Sequence, residues 1–214
     1  MFSGLASTPP TPARIGPNAV LQTFRALREL EAPEVARQVD PGLAPADEWP
    51  AGMIPEGWFA ALVRELRAAL PASRSEAVLR RSGHHTADYV ARHRIPAAFR
   101  GLLRLLPARL SIPLLLRAFR RHAWTFAGGG RFGIEGPFPG TLLLDGCPTC
   151  RPDAAAGLEG YAGAYYEAAF EGLLRIAAPD VRVREVACQA LHAPLCRFEI
   201  ALTAPTAGTP CESS

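Results

Sequence analysis

The amino-acid sequence predicts an α+β fold, because two kinds of apolar pattern follow one another along the chain. Up to about residue 121, apolar residues recur every three or four positions, which is typical of amphipathic helices. From Trp124 onward they alternate and are separated by glycine-rich turns, which is typical of strands. The chain has 214 residues, of which 49% are hydrophobic, so it is long enough to bury one sizeable core.

Six helices are predicted in the first region, with proline and glycine near their boundaries. Their predicted bounds are 17–30, 33–39, 58–70, 73–94, 97–106 and 113–123. A long loop is expected over 41–57, where prolines and glycines are frequent. The polar helix 73–94 is expected to be interrupted near Gly83 and to present His84, His85 and His93 to solvent. Pro107 and Pro113 are expected to separate the last two helices.

The second region is predicted to consist of two hairpins with a long helix between them. The first hairpin is expected within 124–136, with its turn around 128–130. A separate short buried strand, 141–146, is expected to run into a turn of sequence CPTC. A helix is predicted over 158–178, with one core face and a Glu171–Arg175 pair four residues apart. The last hairpin, 181–203, places Cys196, Phe198, Ile200 and Leu202 on one face by alternation.

Four cysteines in this second region predict a metal site. Cys147 and Cys150 have two residues between them in the CPTC turn, and Cys188 and Cys196 flank the turn of the last hairpin. There are 37 residues between the two pairs. Two short pairs on turns are how zinc ribbons gather four thiolates, although four thiolates also suit an iron–sulfur cluster. Buried free thiols are the rival interpretation. Disulfides are disfavoured, because no secretory signal precedes the first helix and a cytoplasmic location is therefore expected.

The charged residues exclude several functions. Net charge is +3, which does not indicate nucleic-acid binding, and every basic residue is arginine, which removes lysine chemistry. No apolar run approaches the roughly 20 residues that span a bilayer. Arginine stripes on the last two predicted helices leave three interpretations open: contact with an anionic membrane surface, contact with a partner, or a solvated face. The stripes are Arg100 with Arg104, and Arg117 with Arg120 and Arg121.

Two further motifs lie where the helical region ends. The segment 128–133 matches the dinucleotide pattern GxGxxG, but Pro137 and Pro139 exclude the helix that must follow a phosphate-binding loop, so we reject the match. His122 has the chemistry of an axial ligand to a metalloporphyrin, with Arg120 and Arg121 available to acidic side groups. The alternative is a histidine that only stabilises a helix C-terminus.

The chain resembles the bacteriochlorophyll 4-vinyl reductase family from about residue 14 to residue 202. The resemblance rests on four segments: RIGPNAVLQ, RHAWTFAGGGRFG, the CPTC turn and the hairpin from VREVAC to CRFEI. The resemblance implies helices packed on an antiparallel sheet, as in transport-particle subunits and haem nitric-oxide-binding domains. It also maps the family's metal ligands onto Cys147, Cys150, Cys188 and Cys196. His192 departs from the pattern, since many relatives have glycine there. The implied organisation is a tail over 1–14, a helical region over 15–121, a 4-vinyl-reductase domain over 122–203 and a tail over 204–214.

The function implied by the resemblance is the 8-vinyl reduction step of bacteriochlorophyll biosynthesis, on divinyl magnesium-tetrapyrrole intermediates. Because no nucleotide site is found, we expect binding and presentation of the porphyrin to other enzymes of the pathway rather than autonomous catalysis. The alternatives are a true reductase with a partner's electrons and a structural interaction subunit. Residues expected to bind the tetrapyrrole are Phe119, Arg120, Arg121, His122, Trp124, Phe126, Phe132 and Tyr165. A homodimer and peripheral contact with the inner photosynthetic membrane are compatible with this interpretation.

Overall fold

A computed structural model describes residues 13–39, 52–150 and 162–202. The helical region consists of β1 (Arg14–Ile15), α1 (Asn18–Leu30), α2 (Pro33–Val39), β2 (Ile54–Pro55), α3 (Glu56–Ala69), α4 (Ala72–His93), α5 (Ala97–Leu105) and α6 (Ala108–His122). The strand region consists of β3 (Arg131–Glu135), β4 (Thr141–Asp145), α7 (Ala164–Leu174), β5 (Val181–Ala187) and β6 (Cys196–Leu202). Short 3-10 turns cover Ala123–Thr125, Pro148–Cys150 and Gln189–Leu191. Helices thus pack on an antiparallel sheet, and the predicted α+β fold class is confirmed.

The larger sheet has the strand order β3-β4-β6-β5, with every neighbouring pair antiparallel. In this sheet β5 is an edge strand, and two of its backbone N–H groups donate to carboxylates of α7. Val183 N donates to Glu171 Oε2 at 3.0 Å, and Glu185 N donates to Glu167 Oε2 at 3.1 Å. The glutamates of α7 therefore occupy donors that an edge strand otherwise offers to other chains.

Helix α4 lies between α1 and α7 and continues without interruption through Gly83. The predicted break there is wrong. A Cβ at Gly83 would lie 2.3 Å from Tyr165 O and 2.8 Å from the Cβ of Ala168. The glycine is therefore present because the backbones of α4 and α7 approach each other closely, and not because the helix ends.

Three other boundaries differ from the sequence-based expectations. Pro113 lies inside α6 rather than before it, because the buried Ser111, Ile112 and Leu115 hold the first turns of that helix against the core. The hairpin between β3 and β4 turns over 136–140, where Gly136 and Gly140 have positive φ. The loop 128–130 instead connects a 3-10 turn to β3, so the rejection of the dinucleotide motif is confirmed, because this loop continues into a strand.

Helix α7 begins at Ala164. The residue before it, Gly163, donates its N–H to Glu185 Oε2 at 2.7 Å. Residues 158–161 of the predicted helix lie outside the described residues. The single core face expected for this helix is wrong, because α4 covers one side of α7 and β5 covers the other. The predicted Glu171–Arg175 pair is confirmed, with an oxygen to nitrogen distance of 2.5 Å.

Polar groups also join α1 to α4. The hydroxyls of Thr23 and Ser82, both buried, lie 2.8 Å apart. His85 is buried, contrary to the expectation that it faces solvent, and its Nε2 lies 2.8 Å from Glu29 Oε2. The reason is that α1 covers this side of α4 and supplies a carboxylate, so a buried imidazole keeps a hydrogen-bond partner.

Replacing Glu29 by glutamine is expected to lower the free energy of unfolding at pH 7 by about 1 kcal/mol. The hydrogen bond with His85, followed by those from Arg81 and Arg25, lowers the pKa of the Glu29 carboxyl from its usual 4.5 to about 2, against the effect of burial. Since the folded-state pKa is the lower one, ionised Glu29 stabilises the fold above pH 4.5, and this contribution is lost as the pH falls from 4.5 to 2.

Urea unfolding of the wild type and the Glu29→Gln variant at several pH values between 7 and 2 measures this effect. The matched control is Glu34→Gln on α2, whose exposed pair with Arg37 is expected to contribute about 0.5 kcal/mol or less. Equal stability of the Glu29→Gln variant and the wild type at pH 7 would contradict the prediction.

Several sequence-based expectations fall partly or wholly outside the described residues. These are most of the two predicted tails and residues 41–51 of the predicted loop 41–57. The remainder of that loop contains β2 and the start of α3. One hydrophobic core contains residues from both sides of the predicted boundary between residues 121 and 122. Among the described helices, none is both long and apolar enough to cross a membrane.

Candidate functional site

The four predicted metal-ligand cysteines come together in one buried cluster. Cys147 and Cys150 lie in the CPTC turn after β4, Cys188 follows β5, and Cys196 begins β6. The Sγ of Cys150 lies 3.5 Å from that of Cys188 and 3.3 Å from that of Cys196. All four are free thiols in this structure.

Strand pairing explains why cysteines so far apart in sequence meet. Leu144, near the end of β4, lies opposite Cys196 at the start of β6. Ala187, at the end of β5, lies opposite Arg197. The CPTC turn and the turn of the last hairpin therefore lie at the same end of the sheet. This common position brings the two pairs of cysteines together.

Gln189 joins the two cysteine turns directly. Its Oε1 accepts the N–H of Cys147 at 3.0 Å, and its Nε2 donates to Asp145 Oδ1 and to the carbonyl of Pro194, each at 3.2 Å. Nothing in the sequence pattern singled out this glutamine. The only available signal was a long polar side chain directly after a cysteine.

Arg67 of α3 holds the cluster from the helical side. Its guanidinium donates to the carbonyl of Thr149 at 3.0 Å and to that of Ala162 at 3.2 Å. Burial lowers the pKa of Arg67, and the nearby Cys150, Cys147 and Cys188 oppose that effect. A cation beside the sulfurs favours their thiolate forms.

Hydrogen bonds also favour negative charge on the sulfurs. The Sγ of Cys188 accepts the N–H of Ala162 at 3.3 Å, and the Sγ of Cys196 accepts that of Gln189 at 3.4 Å. Burial opposes ionisation of Cys147, but hydrogen bonds with Cys150, Cys196 and Thr149 outweigh it and hold the pKa of the Cys147 thiol well below its usual value. Hydrogen bonds with its neighbouring cysteines raise the pKa of the Cys196 thiol. The packed sulfurs thus favour the thiolate of Cys147 at the expense of that of Cys196, and a bound cation would remove that competition.

Glu185 adds a carboxylate that the sequence-based prediction missed. Ligand atoms of Cys150, Glu185, Cys188 and Cys196 all lie within 4.8 Å of one another. The carboxyl is buried, and its Oε1 has no hydrogen-bond partner. Burial, followed by the charge of Cys188, raises the pKa of Glu185 to about 8. Alternation along β5 was the signal that could have found it, because Val181, Val183 and Glu185 share the inward face.

His192, at the tip of the last hairpin, has a φ of +62° in the left-handed region. Glycine adopts this conformation more readily than other residues do. The side chain is exposed, and His192 does not belong to the group of donors around Cys150.

The residues expected to bind a tetrapyrrole fall into two sets. The first set is aromatic and packed: Phe119, Phe126 and Phe132 surround Phe170, with ring centroids 5.7 to 6.0 Å from that of Phe170. Tyr165 lies apart from them, with its ring 5.0 Å from that of Phe59 and its hydroxyl 3.2 Å from that of Thr86.

The second set is exposed and lies where α6 ends. Arg120, Arg121 and His122 form the last turn of α6, and Trp124 lies in the 3-10 turn that follows. The side chain of Trp124 is 59% exposed. These four residues present an indole, an imidazole and two guanidinium groups to solvent on one short stretch of chain.

Comparison with known proteins decides the family. No family profile matches the chain. It is 35% identical over 198 residues to the "Bacteriochlorophyll synthase 23 kDa chain" of Cereibacter sphaeroides, an alignment that covers 92% of this chain and 94% of the relative. It is 37% identical over 203 residues to the protein of the same name from Rhodobacter capsulatus, with 92% of each chain covered. The chain belongs to this family.

Membership of the bacteriochlorophyll synthase 23 kDa chain family confirms the recognition made from the sequence. Among solved structures, an H-NOX protein from S. oneidensis in the Fe(II)NO ligation state aligns with 89% of this chain and 100% of its own, at a TM-score of 0.49 and 14% identity.

A cavity of about 610 Å³ adjoins the cysteine cluster of this family member through Glu185. It lies between α4, α7 and β5, and most of its lining is charged, including Arg67, Arg80, Glu167 and Arg182. None of the residues expected to bind a tetrapyrrole lines this cavity.

Proposed function

We propose that this protein acts in bacteriochlorophyll biosynthesis by binding a magnesium-tetrapyrrole intermediate and presenting it to other enzymes of the pathway. Family membership supports the pathway, because both relatives carry bacteriochlorophyll synthase in their names. The observation that carries the binding role is the exposed stretch from Arg120 to Trp124 at the end of α6.

The chemistry of that stretch matches the chemistry of the ligand. A neutral imidazole such as His122 suits an axial position on a metal held in a macrocycle. The guanidinium groups of Arg120 and Arg121 suit carboxyl side groups, and neither pairs with a carboxylate among the described residues. The exposed indole of Trp124 offers a flat surface for the ring.

Presentation is favoured over autonomous reduction by the course of the chain after Trp124. The GGGRFG segment continues into β3, so its glycines do not lead to a helix N-terminus that could face the phosphates of a nicotinamide or flavin cofactor. Reduction of the 8-vinyl group by this chain would therefore take its electrons from a partner.

The second part of the proposal is that Cys147, Cys150, Cys188 and Cys196 hold one zinc ion. The fit rests on the burial of all four sulfurs, the N–H donors to Cys188 and Cys196, and the unpartnered Glu185 oxygen beside them. Zinc bound there would supply a crosslink between the CPTC turn and the last hairpin. An iron–sulfur cluster is the alternative occupant and would instead supply electron transfer.

Titration of the purified protein with a divinyl magnesium-tetrapyrrole is expected to shift the Soret band and to saturate at one ligand per chain. His122→Ala and Trp124→Ala are each expected to weaken binding by about tenfold, since each removes one main contact with the macrocycle. His93→Ala, which removes an exposed histidine of α4, is the matched control and is expected to bind like the wild type.

Addition of NADPH to the same mixture separates the alternatives. Ethyl product at enzymatic turnover would overturn the presentation role and support a reductase. A protein that gives no Soret shift at any ligand concentration would favour a structural interaction subunit.

A further inference from the structure

The segment between Asp88 and Glu135 contains no acidic residue, and its charged side chains are all arginine. It contains α5, α6 and the β3 segment that follows. In a chain with 20 acidic residues and a net charge of only +3, this concentrates positive charge on one part of the surface.

Helices α5 and α6 carry several exposed arginines that form no ion pair among the described residues. Arg104 on α5 and Arg109 and Arg117 on α6 have no carboxylate partner among the described residues. By contrast, many arginines elsewhere form ion pairs within 3.2 Å, as Arg74 does with Glu31 and Arg131 with Asp145. The helical hairpin therefore keeps its positive charge available to another body.

Large apolar side chains lie exposed beside these arginines. Leu105 is 85% exposed, Leu110 is 59% exposed and Leu102 is 45% exposed. Leu102 and Leu105 lie three residues apart and so share one face of α5, with Ala98 one turn before them. Leu110 lies in the first turn of α6, so the three leucines surround the corner where the two helices meet.

We infer that the corner of α5 and α6, formed by Leu102, Leu105 and Leu110 with Arg104 and Arg109, docks the protein on the surface of an anionic lipid bilayer. Apolar side chains flanked by arginines are the features by which an amphipathic helix lies in the headgroup region, with its leucines among the acyl chains and its guanidinium groups on lipid phosphates. Charge complementarity favours this occupant, because the corner offers both cations and an exposed apolar surface and no carboxylate.

The size of the helices is suited to contact with the lipid headgroups and not to a membrane span. No described helix is able to cross a membrane, and α5 has nine residues, about 14 Å in length. The inference does not depend on tetrapyrrole binding, because it rests on the charge and exposure of the corner alone.

Sedimentation of the full-length protein with vesicles tests the inference without any pigment. We expect binding to vesicles of phosphatidylcholine with phosphatidylglycerol, weakened by added salt, and little binding to vesicles of phosphatidylcholine alone. Leu105→Glu is expected to weaken binding by about tenfold or more, and Arg104→Gln by about fivefold. Both positions are exposed, so neither change is expected to impair folding.

Matched controls lie at the C-terminal end of α1, which meets the start of α4 through the ion pair of Arg74 with Glu31. Helix α4 is 22 residues, or about 33 Å, long, and α5 follows its other end. Leu30 is 43% exposed, and Arg28 is exposed with no carboxylate partner among the described residues, so Leu30→Glu and Arg28→Gln make the same changes of charge on another surface. Both controls are expected to bind vesicles within about twofold of the wild type. Absence of binding to anionic vesicles would overturn the inference, as would equal losses in the control and the corner variants. The inference would also be overturned if the corner bound an acidic protein and did not bind anionic vesicles.

Discussion

Serine in place of Cys188 is expected to release bound zinc and to lower the free energy of unfolding by at least about 3 kcal/mol. Cys188 is buried, and its sulfur lies 3.5 Å from that of Cys150 across the two turns. Removing one thiolate from the proposed site would leave three cysteines to hold the ion, and loss of the ion would leave their sulfurs buried together without a cation. Cys147→Ser is expected to have the same consequence.

Metal analysis by mass spectrometry and urea unfolding measure the two effects on each variant. Cys211→Ser, which makes the same chemical change at a cysteine after the last described strand, is the control and is expected to retain zinc and stability. Glu185→Gln tests the ligand set, because a site of four thiolates keeps its zinc when this carboxylate is lost. Wild-type protein that keeps its stability when a chelator has removed every metal would contradict the structural role of the site.

Alanine in place of Gly83 is expected to lower the free energy of unfolding by at least about 2 kcal/mol. The added Cβ would lie 2.3 Å from Tyr165 O, 2.8 Å from the Cβ of Ala168 and 3.0 Å from Ala169 N. Two of these atoms belong to the backbone of α7, so α4 and α7 must move apart to admit a methyl group. That movement weakens packing along a helix that is covered on both sides.

Gly101→Ala in α5 is the matched control for this substitution. Gly101 is helical and exposed, and a Cβ there meets no atom within 4 Å, so alanine is expected to raise stability by about 0.5 to 1 kcal/mol. Thermal and urea unfolding measure the change in the free energy of unfolding for both variants. If the close approach of α4 and α7 explains Gly83, this change is negative for Gly83→Ala and positive for Gly101→Ala. Equal gains in stability for the two variants would instead mean that Gly83 only weakens α4.

Much of the fold was accessible from local pattern. The bounds of α1 and α2, the β5–β6 hairpin and the Glu171–Arg175 pair agree with prediction, because each depends on residues within one turn or one hairpin. The α4 break and the hairpin around 128–130 were predicted wrongly for a common reason. Glycine was interpreted as a sign of local backbone freedom, whereas Gly83 is required by a neighbouring helix that lies some 80 positions later in the chain.

The candidate site divides in the same way. The sequence by itself determined the four cysteines and the turns that carry them, since short spacing and turn residues are properties of contiguous chain. Only the tertiary structure brought Glu185 and Gln189 to these cysteines and placed Trp124 outside the packed aromatic rings. The physical reason is that spacing within a segment is encoded by neighbouring residues, whereas the distance between segments is set by the pairing of β4 with β6 and by the packing of α7 between α4 and the sheet.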